Sequence, residues 1–231
     1  YYGEISYIDH CLGKILDAVE QRADADNTLI LFTADHGDHM GDHHAWQKES
    51  FFEAACHVPF LLSWPKILPA GETSETLISL TDIFGIITGA AGDAQTQDGI
   101  NVLDVLSGKG APREILYGYY SQPGSPLFKM MARCQNWKYI YIAYDGREQL
   151  FNLADDPAEL TQRLDDEPAM AARLRAAALD EARRHPALAA ALDGDGFKAF
   201  PGNGAAWPKM RVKQFDHSRG ITDFTLSQGN G

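Results

Sequence analysis

The chain is poor in cysteine: three in 231 residues, Cys11, Cys56 and Cys134, widely spaced and with no Cys-x-x-Cys pair. An odd, scattered set excludes a disulfide framework and a zinc knuckle, and reads as three structural thiols. No apolar run approaches the ~20 residues of a membrane-spanning helix. Positive charge is scarce as well. With 20 Lys and Arg against 32 Asp and Glu, the net charge is −12, which argues against a nucleic acid or an anionic membrane as the main partner. There is no internal repeat and no visible signal peptide. The chain opens Tyr1-Tyr2-Gly3 rather than with methionine, so it reads as starting in the middle of something longer. Unpaired cysteines favour a cytoplasmic location, with a periplasmic or secreted one as the alternative.

What is present is an α/β pattern followed by an antiparallel one. Ile5, Ile8, Leu12, Ile15, Leu16 and Val19 recur at three- and four-residue steps and predict an amphipathic helix over 4–21. The run Leu29 to Thr33 predicts a buried strand, and Val58 to Pro65 a second one bounded by prolines. Ser50 to Cys56 predicts a short helix, and Asp82 is a candidate cap for a helix carrying Ile83, Phe84, Ile86 and Ile87. From Arg113 short aromatic and β-branched runs alternate with Pro123-Gly124, Gln135-Asn136 and Asp145-Gly146, the signals of a small antiparallel sheet. A helix over 167–184 follows. Glycines then punctuate an extended tail, where Phe197, Phe200, Trp207, Phe215 and Phe224 suggest packing. The expected division is 1–112, 113–185 and 186–231.

The chemistry concentrates where the first strand ends. Asp35-His36-Gly37 is followed by Asp38, His39, Asp42, His43 and His44, and Lys48 lies twelve positions after His36. A carboxylate and an imidazole at a strand end suit a divalent cation if further ligands join them. The alternative is a tight turn, with Gly37 in the left-handed region. A lysine beside a metal suits an anionic substrate. His39 and His44 are assigned to solvent or packing, and His43 to a place behind a ligand or to bracing the loop.

The stretch ADHGDHMGDHHAWQKESFFEAACHVPFLL resembles the sulfatase pattern of the alkaline-phosphatase superfamily, roughly SDHG-x-x-x-G-[ED]-H-x-x-W-x-K-x-x-x-[FY]-E-x-x-x-[RH]-V-P. Three further blocks match in order: YYGEISYIDHCLGKILDAVE, TDIFGIITGAAG with DGINVLDVLSG, and MARCQNWKYIYIAYDGREQLFNLADDPAELTQRL. The last ends in a Leu-[FY]-[ND]-Leu-x-x-Asp-Pro-x-Glu signature. Tyr1 to about Arg184 is covered.

The resemblance implies the C-terminal part of an alkaline-phosphatase-like α/β/α domain, followed by a small antiparallel subdomain with a packed helix. It implies hydrolysis of sulfuric esters, with Asp35 and His36 as metal ligands and Lys48 as the catalytic anion contact. His57, where many members have arginine, is assigned to the substrate. Calcium is the first choice of metal and manganese the second. The family's nucleophile is a formylglycine made within Cys-x-[Pro/Ala]-Ser-x-Arg. Cys11-Leu-Gly-Lys, Cys56-His-Val-Pro and Cys134-Gln-Asn-Trp all fail that motif, so this chain alone is expected to be inactive. The implied partner is a sulfate-ester small molecule or a sulfated glycan, with a homo-oligomer through the C-terminal tail as a further expectation. Two alternatives stand: a phosphonate or phosphate ester hydrolase of the same superfamily, and a non-catalytic structural or binding module.

Overall fold

The structure is a computed structural model that describes residues 1–93 and 98–201. The expectations placed on Trp207, Phe215 and Phe224, and an oligomer built through that part of the tail, lie outside the described residues. The fold is α/β with small antiparallel sheets. The first helix, α1 (Tyr2–Glu20), has the expected stripe, but Ile5, Ile8 and Ile15 on it are exposed and none of its residues is buried.

The first strand, β1 (Ile30–Thr33), leads to a site loop, then to a single helical turn, α2 (Glu53–Cys56), and to β2 (Phe60–Ser63). β1 and β2 pair antiparallel, Ile30 opposite Ser63 and Thr33 opposite Phe60. Both were expected to be buried, and this is corrected: β1 is half-buried throughout and Leu61 on β2 is largely exposed. Among the described residues this sheet has two strands, and a strand is buried on both faces only where other layers pack on both sides of its sheet.

Two helices, α3 (Asp82–Ala90) and α4 (Val102–Leu106), pack on each other. Asp82 is not the cap it was read as. It lies within the first turn, fully buried, and accepts the amides of Ser79 (2.7 Å) and Ile100 (2.8 Å). Arg113 grips the same carboxylate at 2.9 and 2.6 Å. The residue therefore ties the helix to the start of the next unit of structure.

That unit is a four-stranded antiparallel sheet, β3 (Leu116–Tyr120), β4 (Lys129–Cys134), β5 (Trp137–Ile142) and β6 (Arg147–Asn152), in sequential order. Asp145 and Gly146, both with positive φ, make the turn that their sequence announced. The period of two decides what each face meets. Met130, Ala132, Tyr139 and Tyr141 face α5 (Pro168–Arg184), which lays Ala171, Leu174, Ala178 and Ala182 against them at helical spacing. Burying a side chain such as Leu174 contributes roughly 1.5–3 kcal/mol.

The other face carries Met131 and Ile140, joined by Phe151, and packs on Phe51 and Phe52 next to the site loop. Gly118 lets this happen: a Cβ there would come within 2.8 Å of the Phe51 ring.

The tail expected from Pro186 starts as part of this core. Leu188 and Ala191 are buried in it. A small hairpin, β7 (Leu192–Asp193) with β8 (Gly196–Phe197), then stacks Phe197 on Tyr141 at 4.7 Å.

Candidate active site

β1 ends at Thr33, and the next residues leave the sheet toward α2. The amide of Gly37 donates to the carbonyl of Ala55 at 2.8 Å. Gly37 is required here for space and not for the left-handed region, which it does not occupy. A Cβ on it would fall 2.0 Å from the Ala54 carbonyl oxygen. The loop then doubles back, with the His39 amide bonded to the Gln47 carbonyl (2.8 Å) and Gly41 to Ala45 (3.0 Å). Met40, His43, His44 and Gln47 all take positive φ. Such non-glycine conformations cost of order 1–3 kcal/mol each and persist where the surroundings over-determine them.

This return brings Lys48 to His36. The Lys48 amine hydrogen-bonds Nε2 of His36. The Asp35 carboxylate stands 3.2 Å from that same nitrogen. Nδ1 of His36 lies 2.7 Å from the Gly37 carbonyl. A carbonyl can only accept, so Nδ1 carries the proton and the Nε2 lone pair faces Asp35 and Lys48. All three side chains line one end of a cleft of about 630 Å3, which also holds His57, Tyr120 and Arg133.

The donors fit a divalent cation in kind. A carboxylate and an imidazole nitrogen free of its proton converge, and a backbone carbonyl orients the imidazole. They do not fit in number: among the described residues no three His, Cys, Asp or Glu side chains gather around one point. A cation held here needs further ligands.

The other histidines separate. His43 does not stand behind either expected ligand. Its ring lies flat on Phe52 at 3.8 Å, and it lines a second cavity of about 370 Å3 with His39, Trp46 and Lys129. Gly41 and His43 both take positive φ in this part of the loop. His39 is buried, with Nε2 2.6 Å from Ser50 Oγ, and burial pushes its imidazole pKa below the ordinary value. His44 is exposed.

A sulfatase family model matches residues 1–93. Over 167 residues the chain is 34% identical to the choline-sulfatase of Rhizobium meliloti (strain 1021), covering 70% of this chain and 32% of that one. The chain is similar to sulfatases over these stretches. It spans about a third of the length of the curated relatives it matches. The crystal structure of a phosphonate monoester hydrolase of Agrobacterium radiobacter, in the same superfamily, is 28% identical. It has a TM-score of 0.69 over 87% of this chain and 44% of its own. The fold is shared with BT4656, solved in complex with its substrate D-glucosamine-2-N,6-O-disulfate, at a TM-score of 0.70 and 22% identity, covering 78% of this chain and 39% of that one.

The cleft has one wall, centred on Lys138, that sequence reasoning missed. Lys138, fully buried, donates to the Phe51 carbonyl (2.8 Å) and to Glu159 (2.8 Å), and sits 2.5 Å from Glu53. Arg133 also reaches Glu53 at 3.2 Å. Burial works to raise the Glu53 pKa, but Lys138, Arg133 and His57 outweigh it and hold the carboxyl below the ordinary range. The available signals were a lysine within an aromatic strand, Trp137-Lys138-Tyr139, and the two glutamates within quoted family motifs.

Proposed function

We propose that this chain supplies part of the active site of a metal-dependent sulfatase that hydrolyses sulfuric esters. The carrying observation is the meeting of Asp35, His36 Nε2 and Lys48 Nζ at one end of the cleft. Asp35 and His36 would hold the cation, calcium as first choice and manganese as second. A cation bound there supplies Lewis-acid stabilisation of the ester's anionic oxygens. Gly37, through its carbonyl, keeps the His36 nitrogen aimed at that point. Lys48 stabilises negative charge that develops on the transferred group, and His57 contacts the substrate from further along the cleft.

The nucleophile, a formylglycine in the family pattern, comes from sequence other than these 231 residues. None of the three cysteines lies in Cys-x-[Pro/Ala]-Ser-x-Arg. The exposed apolar stripe of α1 supports a further layer of protein over that helix. A sulfated sugar is the substrate class that the solved complex with glucosamine disulfate suggests.

The second reading, a phosphonate or phosphate ester hydrolase, draws on the likeness to the phosphonate monoester hydrolase over 87% of the chain. Joining this chain to a segment with the formylglycine motif and comparing aryl sulfates with aryl phosphonates separates the two. A preference for the sulfate ester, dependent on Asp35 and His36, supports the first reading; a preference for the phosphonate replaces it with the second.

A further inference from the structure

The buried charges behind the cleft have geometry beyond what packing needs. Lys138 and Arg133 project from the site-facing side of β5 and β4, and both end on the Glu53 carboxylate. Glu159 takes φ +55 and is itself buried. One of its oxygens accepts from Lys138, and the other accepts the Glu53 amide at 2.6 Å. Glu53 is thus fixed by its backbone and by its side chain. Its second oxygen lies 3.1 Å from Nδ1 of His57, one helical turn on. The His57 side chain is 71% exposed and lines the cleft, and among the described residues the charged group that meets its ring is this carboxylate.

We propose that Glu53 is a positioning residue for His57. The clamp of Lys138, Arg133 and Glu159 fixes the carboxylate, the carboxylate accepts from the His57 Nδ1–H, and the doubly protonated ring presents its Nε2–H to an anionic ester in the cleft. An ion pair between surface groups contributes little when both partners must be ordered. Here one partner is ordered beforehand by buried bonds, so the imidazole alone loses freedom. This inference rests on reading the cleft as the site of an anionic ester.

Nitrogen-15 NMR of the imidazoles in the full chain tests it, with inorganic sulfate as the probe. Without sulfate, neutral His57 is expected in the Nδ1–H form, against the Nε2–H preference of free histidine, and Glu53→Gln reverses this; with sulfate bound the ring carries both protons, Nδ1–H to Glu53 and Nε2–H to the anion. Sulfate binding weakens about tenfold in Glu53→Gln and in His57→Gln, the scale of one charge-assisted hydrogen bond. The double variant weakens it no further. Glu53→Asp, which keeps the charge but withdraws it, serves if Glu53→Gln does not fold. A His57 in the Nε2–H form in the wild type, or sulfate affinity unchanged in His57→Gln while Lys48→Ala lowers it, overturns the positioning role and leaves the cleft reading intact. Sulfate affinity unchanged in Lys48→Ala removes the cleft reading itself.

Discussion

The Lys48 amine hydrogen-bonds Nε2 of His36, although twelve residues of loop separate them. The contact joins the cation-type and anion-type halves of the site in one place. It exists because the loop folds on itself through His39 to Gln47 and Gly41 to Ala45, and because Gly37 lies against α2. Two carboxylate oxygens, a bare imidazole nitrogen and an ammonium at one end of a cleft suit an anion bound beside a metal.

Gly37→Ala is expected to destabilise the chain by about 1–3 kcal/mol, the usual range for forcing a methyl into a packed place. Its Cβ would meet the Ala54 carbonyl oxygen, a backbone atom that cannot swing away. Urea unfolding of the two proteins measures this. Equal stability would mean that the close docking of the loop on α2 is absent in solution.

Lys138→Met should cost about 3–5 kcal/mol, because it leaves Glu53 and Glu159 enclosed without their shared cation. Removing both sides, in Lys138→Met with Glu159→Gln, should recover part of the loss. A single variant as stable as the wild type would show that the cluster is open to water.

Glu53 gives the pH dependence a definite sign. Its pKa in the folded chain lies below the ordinary glutamate value, so its contribution is fully present above the unfolded pKa of about 4.3 and is lost as pH falls through the lower folded one. The stability gap between wild type and Glu53→Gln should therefore be constant above about pH 6 and narrow below about pH 4. A gap that widens on acidification would reverse the assigned direction. Thermal unfolding across that range reads it.

Much of this was legible in the sequence, for local reasons. The strands of the four-stranded sheet follow from alternation and from turn pairs such as Asp145-Gly146, which needs both residues at positive φ. Residue type and spacing marked out the loop after β1, and the resemblance to the sulfatase pattern singled out Asp35, His36 and Lys48 in it. The rest depended on distant partners. Lys138 meets Glu53 across more than eighty residues, and the Glu53 amide meets Glu159 across more than a hundred. No local pattern marks such a pair. Asp82 looked like a cap because its partner Arg113 lies 31 residues further on, beyond any local pattern. The burial expected for β1 and β2 failed since burial belongs to a strand's neighbours and not to its composition.

Aryl-sulfate turnover tests the account most directly. It is measured in a protein that joins this chain to a segment carrying the formylglycine motif, with Lys48→Ala compared against the unaltered lysine. The account predicts no turnover by the 231-residue chain alone, metal-dependent turnover by the joined protein, and a loss in kcat of about 100-fold or more in Lys48→Ala. Metal-dependent turnover by the chain alone that Lys48→Ala abolishes, or a joined protein indifferent to Lys48, would contradict it.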